Sequence, residues 1–254
     1  MVVINSKSNN IVKYAMSIKS KKYSKKYGEC LVETEKLVLQ MLDKGIVSSV
    51  LVVDTKADDY HAIITHKSKV AIYYISEDIS KYLTDSVTSS GVFAIVKIPK
   101  CDGTTHDKAL ILDGLQDPSN LGAIIRSARA FDYNDIYMID TVYPYTYKVI
   151  RASMGYVFDM NLISTTYEEL LEIKKKHGME IIVADMGGED ISNVCQKSSN
   201  YAIVIGNEGN GVSATMRDMA DTTVSISMSN DVESLNASVS ASIIMYKFNE
   251  IKEN

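Results

Sequence analysis

From residue 109 onward the chain alternates between two kinds of segment, and this alternation constrains its fold more than any other feature. ALILDGLQ (109–116), DIYMID (135–140), EIIVADM (180–186), YAIVIGNE (201–208) and TTVSISMS (222–229) are short runs rich in branched apolar residues. Between them, GAIIRSARAF (122–131), YKVIRASMG (147–155), YEELLEIKKKHG (167–178) and GVSATMRDMA (211–220) read as helices, and SLNASVSASIIMYKFNEI (234–251) closes the chain as a long one. DPSNLG (117–122) reads as the turn entering the first of these helices. Strands apolar on both faces need cover on both faces, and strands joined through helices run parallel. The pattern therefore predicts an α/β fold with a parallel sheet. In such sheets ligands bind outside the carboxyl ends of the strands.

Residues 29–98 read as a smaller α/β unit. The amphipathic stretch ECLVETEKLVLQMLDKG (29–45) is expected as helix, and VSSVLVVD, VAIYYIS and GVFAIVKI as strands. PKCDGTTHDK (99–108) contains Pro99 and Gly103 and has no period of either kind. The junction is placed there, giving an N-terminal domain over 1–98, a linker over 99–108 and a C-terminal domain over 109–254.

The formal net charge is −5, which by itself speaks against a polyanionic partner, but its distribution does not. Between Met1 and Gly28 there are seven lysines, among them Lys21, Lys22, Lys25 and Lys26, no acid, and three interleaved tyrosines, Tyr14, Tyr23 and Tyr27. Such a segment either follows a phosphate backbone and offers stacking faces or is a solvated helix face. No run reaches the ~20 apolar residues of a spanning helix, and MVVINSKSNNIVKY lacks the apolar core of a signal peptide, so a cytoplasmic location is expected. Cys30, Cys101 and Cys195 are odd in number, and the four histidines stand near no cysteine pair at ligand spacing; no metal is expected.

GNEGNGVS (206–213) is a glycine loop with a carboxylate in its middle. Its order, G-x-x-G-x-G, is not that of the dinucleotide fingerprint, it does not follow the first strand, and no Gly-Lys-Ser/Thr follows it. Glu208 would compete with a pyrophosphate for backbone donors and repel it. Two readings remain open: a site for a cationic or neutral nucleoside, and a turn that needs glycine only for positive φ.

Taken together, LDGLQDPSNLGAIIRSARAF, VIGNEGNGVS and ISMSNDVESLNASVSASI resemble, in order and spacing, the three signature motifs of the SpoU/TrmH family of RNA ribose 2′-O-methyltransferases, part of the SPOUT superfamily. RASMG (151–155) is similar to the family segment between the first two motifs, and residues 5–98 resemble, more loosely, the ribosomal-protein-like substrate domain that often precedes the catalytic one. The resemblance implies a C-terminal trefoil knot, S-adenosylmethionine as methyl donor, a homodimer built on the last helix and the knot region, and large-subunit rRNA as substrate. Transfer RNA, or a fold that binds RNA without catalysis, is the alternative.

By position in the motifs, Asn120, Arg126, Glu208, Ser234 and Asn236 are the candidate catalytic residues. Gly206, Asn207, Ile226, Met228 and Leu235 are the candidate cofactor contacts, and Lys21, Lys22, Lys25, Lys26 and Arg129 the candidate RNA contacts. Without the family, Asn120 and Ser234 read as helix caps, and Arg126 and Arg129 as a solvated face. The chain departs from the family at Ser24 (usually arginine), Thr34 (usually glycine), Ser227 (usually proline) and Asn230 (usually glycine).

Overall fold

A computed structural model of the protein describes residues 2–101, 106–194, 199–229 and 231–250. Cys195, Asn230 and the Gly103 part of the expected linker lie outside them. The chain divides into two units, Met1–Pro99 with Tyr145–Arg151, and Lys100–Pro144 with Ala152–Asn254.

In the first unit the elements run β1 (Val3–Ile4), α1 (Asn10–Ser17), α2 (Lys21–Tyr27), β2 (Glu29–Glu33), α3 (Glu35–Asp43), β3 (Val47–Val53), α4 (Ala57–Lys67), β4 (Ala71–Ile75), α5 (Glu77–Leu83) and β5 (Val92–Lys97). They build a five-stranded sheet in the order β1-β4-β3-β5-β2, parallel where β4 meets β1 and β3, antiparallel where β5 meets β3 and β2. Val12, Ile18, Leu51, Ile79, Phe93 and Ile95 form its core beneath α1 and α5.

The helix expected over 29–45 needs correction, because its first five residues are β2, paired antiparallel with β5 from Glu29↔Lys97 to Glu33↔Phe93. Charged ends hid this strand: Glu29 is bonded by Tyr14 Oη and Ser48 Oγ, and Glu33 by Thr84 Oγ1 at 2.7 Å. Thr34 makes the break between strand and helix. Its φ of 93° lies where a β-branched residue is strained and glycine is not, and its hydroxyl accepts from Leu37 N to open α3. Ser24, at the other departure, is buried and donates to Glu29 O at 2.8 Å.

The chain continues with β6 (Lys108–Asp113), α6 (Pro118–Ala130), β7 (Asp135–Ile139), α7 (Tyr147–Ala152), β8 (Asn161–Ser164), α8 (Tyr167–His177), β9 (Glu180–Asp190), β10 (Tyr201–Ile205), α9 (Ala214–Met219), β11 (Thr222–Ser225) and α10 (Ala237–Glu250). The six strands of the second unit are all parallel, in the order β11-β9-β10-β6-β7-β8. Every residue of β7 and β10 is buried, which is why their sequences show no alternation. Ile111, Val183 and Val204 are sealed in this core, and truncating Ile111 to alanine is expected to cost about 2–5 kcal/mol.

Several boundaries move relative to the sequence reading. Pro118 occupies the first turn of α6, so this helix starts at 118 rather than 122. β9 runs on through GGED, β11 stops at Ser225, and α10 starts at Ala237 rather than 234. α8 ends at Gly178 as expected, closed at its start by a capping box of Thr166 and Glu169.

Strand order also fixes where a ligand belongs. From β6 the chain winds outward through β7 and β8, then crosses to the other side, where β10 fills the place between β9 and β6. Winding reverses at the β6/β10 pair, and the crevice outside their carboxyl ends is the natural site.

Candidate functional site

Two loops leave the sheet at that reversal. The loop after β6 enters α6 through Asp117, whose carboxylate accepts from Ser119 N at 2.6 Å and Asn120 N at 3.3 Å. Asp117 is therefore the helix cap, and Asn120 stands inside the first turn, only 8% exposed, with its side chain available for other work. The loop after β10 is closed by a pair of backbone bonds between Asn207 and Gly211, at 2.9 and 3.0 Å. Gly206 permits that closure, since a Cβ there would lie 2.3 Å from the carbonyl carbon of Gly211.

Side chains then stitch the two loops together. Glu208 accepts from Gln116 N at 3.2 Å, Asp117 N at 3.0 Å and Asn120 Nδ2 at 3.1 Å, which places its charge on the backbone N–H groups leading into α6. Burial alone would raise this carboxyl, but the Asn120 side chain and these backbone donors outweigh it and hold it below its ordinary value. Asn207 Nδ2 donates to Gly114 O at 2.8 Å, and Asp113, buried at the end of β6, accepts from Ser213 N at 2.7 Å and Tyr167 Oη at 2.7 Å.

Asn120 also carries the third segment. Its Oδ1 accepts from Asn236 Nδ2 at 2.9 Å, while Asn236 Oδ1 accepts from Ser238 N at 2.9 Å and so caps α10. α10 packs on α6, with Ser127 and Ser242 hydroxyls 2.8 Å apart. Asn120, Glu208 and Asn236 thus form one junction. Arg126 projects from α6, exposed, with no hydrogen-bond or ion-pair partner among the described residues. Arg129, one turn further, is exposed and lies 3.5 Å from Asp132. The lysines Lys21, Lys22, Lys25 and Lys26 belong to the other unit, where all four are exposed on α2.

A cavity of about 410 Å³ opens beside β9 and β11. Ile226, Met228 and Leu235 line it, and Ser234 does too, rather than capping α10. Gly206 and Asn207 are not in its wall: one lies against Gly211, the other bonds Gly114. Sequence reading missed Asp185 and Met186 from β9 and Ser240 and Ile244 from α10. Its size and mixed wall, apolar with hydroxyls and one carboxylate, fit a nucleoside carrying a positive charge. Asp185 is itself held by Arg217 Nε at 2.7 Å.

The wall segment after Ser225 belongs to no strand, and Ser227 lacks the bend that proline would impose. A side-chain clasp fixes it instead: Ser227 Oγ donates to Asp190, which also accepts from Ser192 N at 2.7 Å. The Ser192 hydroxyl, the Ser227 hydroxyl and that amide together lower the Asp190 carboxyl to about 2. β9 makes room for the cavity by slipping its register. Val183 and Glu189 pair with the adjacent residues Thr223 and Val224, so 184–188 bow out from the sheet. Gly188 closes the bow, where a Cβ would meet the β11 backbone at 2.6 Å.

The SpoU rRNA Methylase family model matches residues 107–246, and an MRM3-like substrate binding domain model matches 9–94. The 23S rRNA (guanosine(2553)-2′-O)-methyltransferase RlmP of Bacillus subtilis is 29% identical over 97% of this chain and 98% of its own length. The 23S rRNA (guanosine-2′-O-)-methyltransferase RlmB of Neisseria meningitidis is 36% identical over 54% of this chain and 55% of its own. A solved RNA 2′-O ribose methyltransferase superposes with a TM-score of 0.83 at 25% identity, covering 99% of each chain. The AdoMet complex of AviRb from Streptomyces viridochromogenes shares the fold with a TM-score of 0.87 at 21% identity, covering 96% of this chain and 98% of its own.

Proposed function

The chain belongs to the SpoU rRNA Methylase family, and from that premise we infer that it transfers a methyl group from S-adenosylmethionine to a ribose 2′-hydroxyl of RNA, with large-subunit rRNA as the substrate. One observation carries the assignment of the site: Asn120 joins Glu208 and Asn236, so the three signature segments meet at a single point. The cofactor, when bound, supplies an activated methyl on a sulfonium.

The residues of this chain do the rest. Ile226, Met228 and Leu235 hold an adenosine by apolar contact, while Ser234 and Asp185 meet its polar and cationic parts. Gly206 and Asn207 act one step back, shaping the loop beside the pocket. Methyl transfer needs the 2′-oxygen held in line and its proton removed as the bond forms. An arginine with pKa above about 12 is a poor base but a good fork for phosphate and alkoxide oxygens. Arg126 therefore stabilises the developing oxyanion, with a phosphate oxygen or water as the proton's route. Glu208 sets its carboxylate against the backbone N–H groups that lead into α6, and Asn120 links that position to Asn236.

RNA contacts fall to Arg129 and to the α2 lysines. Val239, Ile243 and Tyr246 form an exposed apolar stripe on α10 at helical spacing, which suits the homodimer implied by the resemblance. The trefoil knot belongs to the same proposal. No helix among the described residues is long and apolar enough to cross a membrane, and the proposed rRNA substrate supports a cytoplasmic location. The test is a map of ribose methylation in total RNA with and without the gene. A missing 2′-O-methyl in 23S-type rRNA is the expected result, and an unchanged map together with no S-adenosylmethionine binding by calorimetry overturns the reading.

A further inference from the structure

α2 reads KKYSKKY, a four-residue unit used almost twice and closed by Gly28 in the left-handed region. On a helix a spacing of four returns to nearly the same face, so Tyr23 and Tyr27 stand one above the other. Their rings lie 11° from parallel with centroids 6.2 Å apart, and they are 38% and 44% exposed. Tyr14 of α1 tilts against Tyr27 at 5.3 Å, and its hydroxyl is tied to Glu29. Tyr14 thus braces a stacked pair, Tyr27 on the inner side and Tyr23 on the outer. Each ring of the stacked pair also carries a cation from the residue before it, with Lys22 Nζ 5.7 Å from the Tyr23 centroid and Lys26 Nζ 5.1 Å from that of Tyr27. No acid occurs between Met1 and Gly28.

We propose that the Tyr23–Tyr27 column is a stacking platform for unpaired nucleobases, with Lys21, Lys22, Lys25 and Lys26 holding the phosphates of the same strand. The choice of RNA as occupant rests on the methyltransferase reading; the choice of unpaired RNA rests on the rings. In a duplex the base faces are buried in the stack and only phosphates and groove edges are offered, which would use the lysines and leave the rings bare. An acidic peptide would do the same. A loop, bulge or single-stranded end offers π faces and phosphates together, at the spacing of a repeated Lys-Tyr pair. Tyr14 already fixes Tyr27, so an arriving base has only to displace the Lys22 and Lys26 ammonium groups from the rings, and these then meet its phosphates.

The experiment measures binding of the full chain to a labelled oligouridylate of about eight nucleotides and to an RNA duplex of about 16 base pairs, across salt concentrations. Replacing both rings, Tyr23→Leu with Tyr27→Leu, is expected to weaken oligouridylate binding by about tenfold or more with the salt slope unchanged, while Tyr23→Phe with Tyr27→Phe retains it. Lys22→Gln with Lys26→Gln is expected to make the salt dependence shallower, by about 0.7 in log–log slope for each phosphate no longer neutralised. The proposal is overturned if the double leucine variant binds oligouridylate as the wild type does, or if its binding to the duplex weakens as much. S-adenosylmethionine binding, measured separately, keeps the two readings apart. A chain that binds no cofactor but shows the ring-dependent loss keeps the platform and loses the enzyme. One that methylates RNA with no such loss keeps the enzyme and loses the platform.

Discussion

The two sides of the site are built on opposite plans. At the junction after β6 and β10, Asn120, Asn207, Glu208 and Asp113 direct their hydrogen bonds to one another's loops, so geometry is fixed by the chain itself. In the cavity wall after β11, the Ile226–Ser229 segment has left the sheet, and the Asp190–Ser227 clasp and the far anchor at Asn236 restrain it. In the proposed mechanism the difference separates two tasks. A charge-stabilising arginine needs a rigid base, whereas a pocket for a flexible nucleoside tolerates a wall with few restraints.

Substitutions on each side should therefore fail in different ways. Arg126→Ala is expected to have the largest effect, lowering kcat by about 100- to 1,000-fold with cofactor affinity unchanged; normal turnover on the cognate RNA would remove Arg126 from the mechanism. Asn120→Ala removes a donor from Glu208 and the acceptor of the Asn236 amide at once and is expected to destabilise the fold by about 2 kcal/mol, read as a drop of roughly 4–8 °C in Tm. An unchanged melting curve would mean the junction is not the rigid side. Ser227→Ala releases the clasp, and a several-fold rise, about threefold to tenfold, in the dissociation constant for S-adenosylmethionine is expected with little change in Tm. Equal losses of stability in the Asn120 and Ser227 variants would erase the contrast altogether.

The smallest effect is one of pH. Because the folded Glu208 carboxyl is held below its unfolded value of 4.5, its contribution is complete above that value and fades as pH falls through it toward the folded one. Acid denaturation as the pH falls below about 5 should then be less steep in Glu208→Gln than in wild type.

The parallel sheet was legible because its central strands are apolar throughout, and the three site segments because their unusual residues follow strand ends. β2 was not, since Glu29 and Glu33 are satisfied by hydroxyls from distant positions and mimic the polar face of a helix. The junction itself was partly hidden. Asn120 looks like a cap until Pro118 is seen to start the helix earlier and Asp117 to take that role. Glu208 suggested a cation by its charge, yet it meets the backbone N–H groups leading into α6 together with the Asn120 amide, a pairing across 88 positions that no local pattern announces. Asp185, Ser240 and Ile244 reach the cavity through sheet register and helix packing, which periodicity does not specify.

The slipped register of β9 has a consequence for how such a chain can change over time. Residues 184–188 bow out between two stretches that are each firmly paired to β11. Insertions or deletions confined to the bow leave the pairing on either side in place, provided a glycine remains where the strand returns at Gly188. The β9 side of the cavity wall can therefore be lengthened, shortened or rewritten by evolution or by design while the sheet that supports it stays the same.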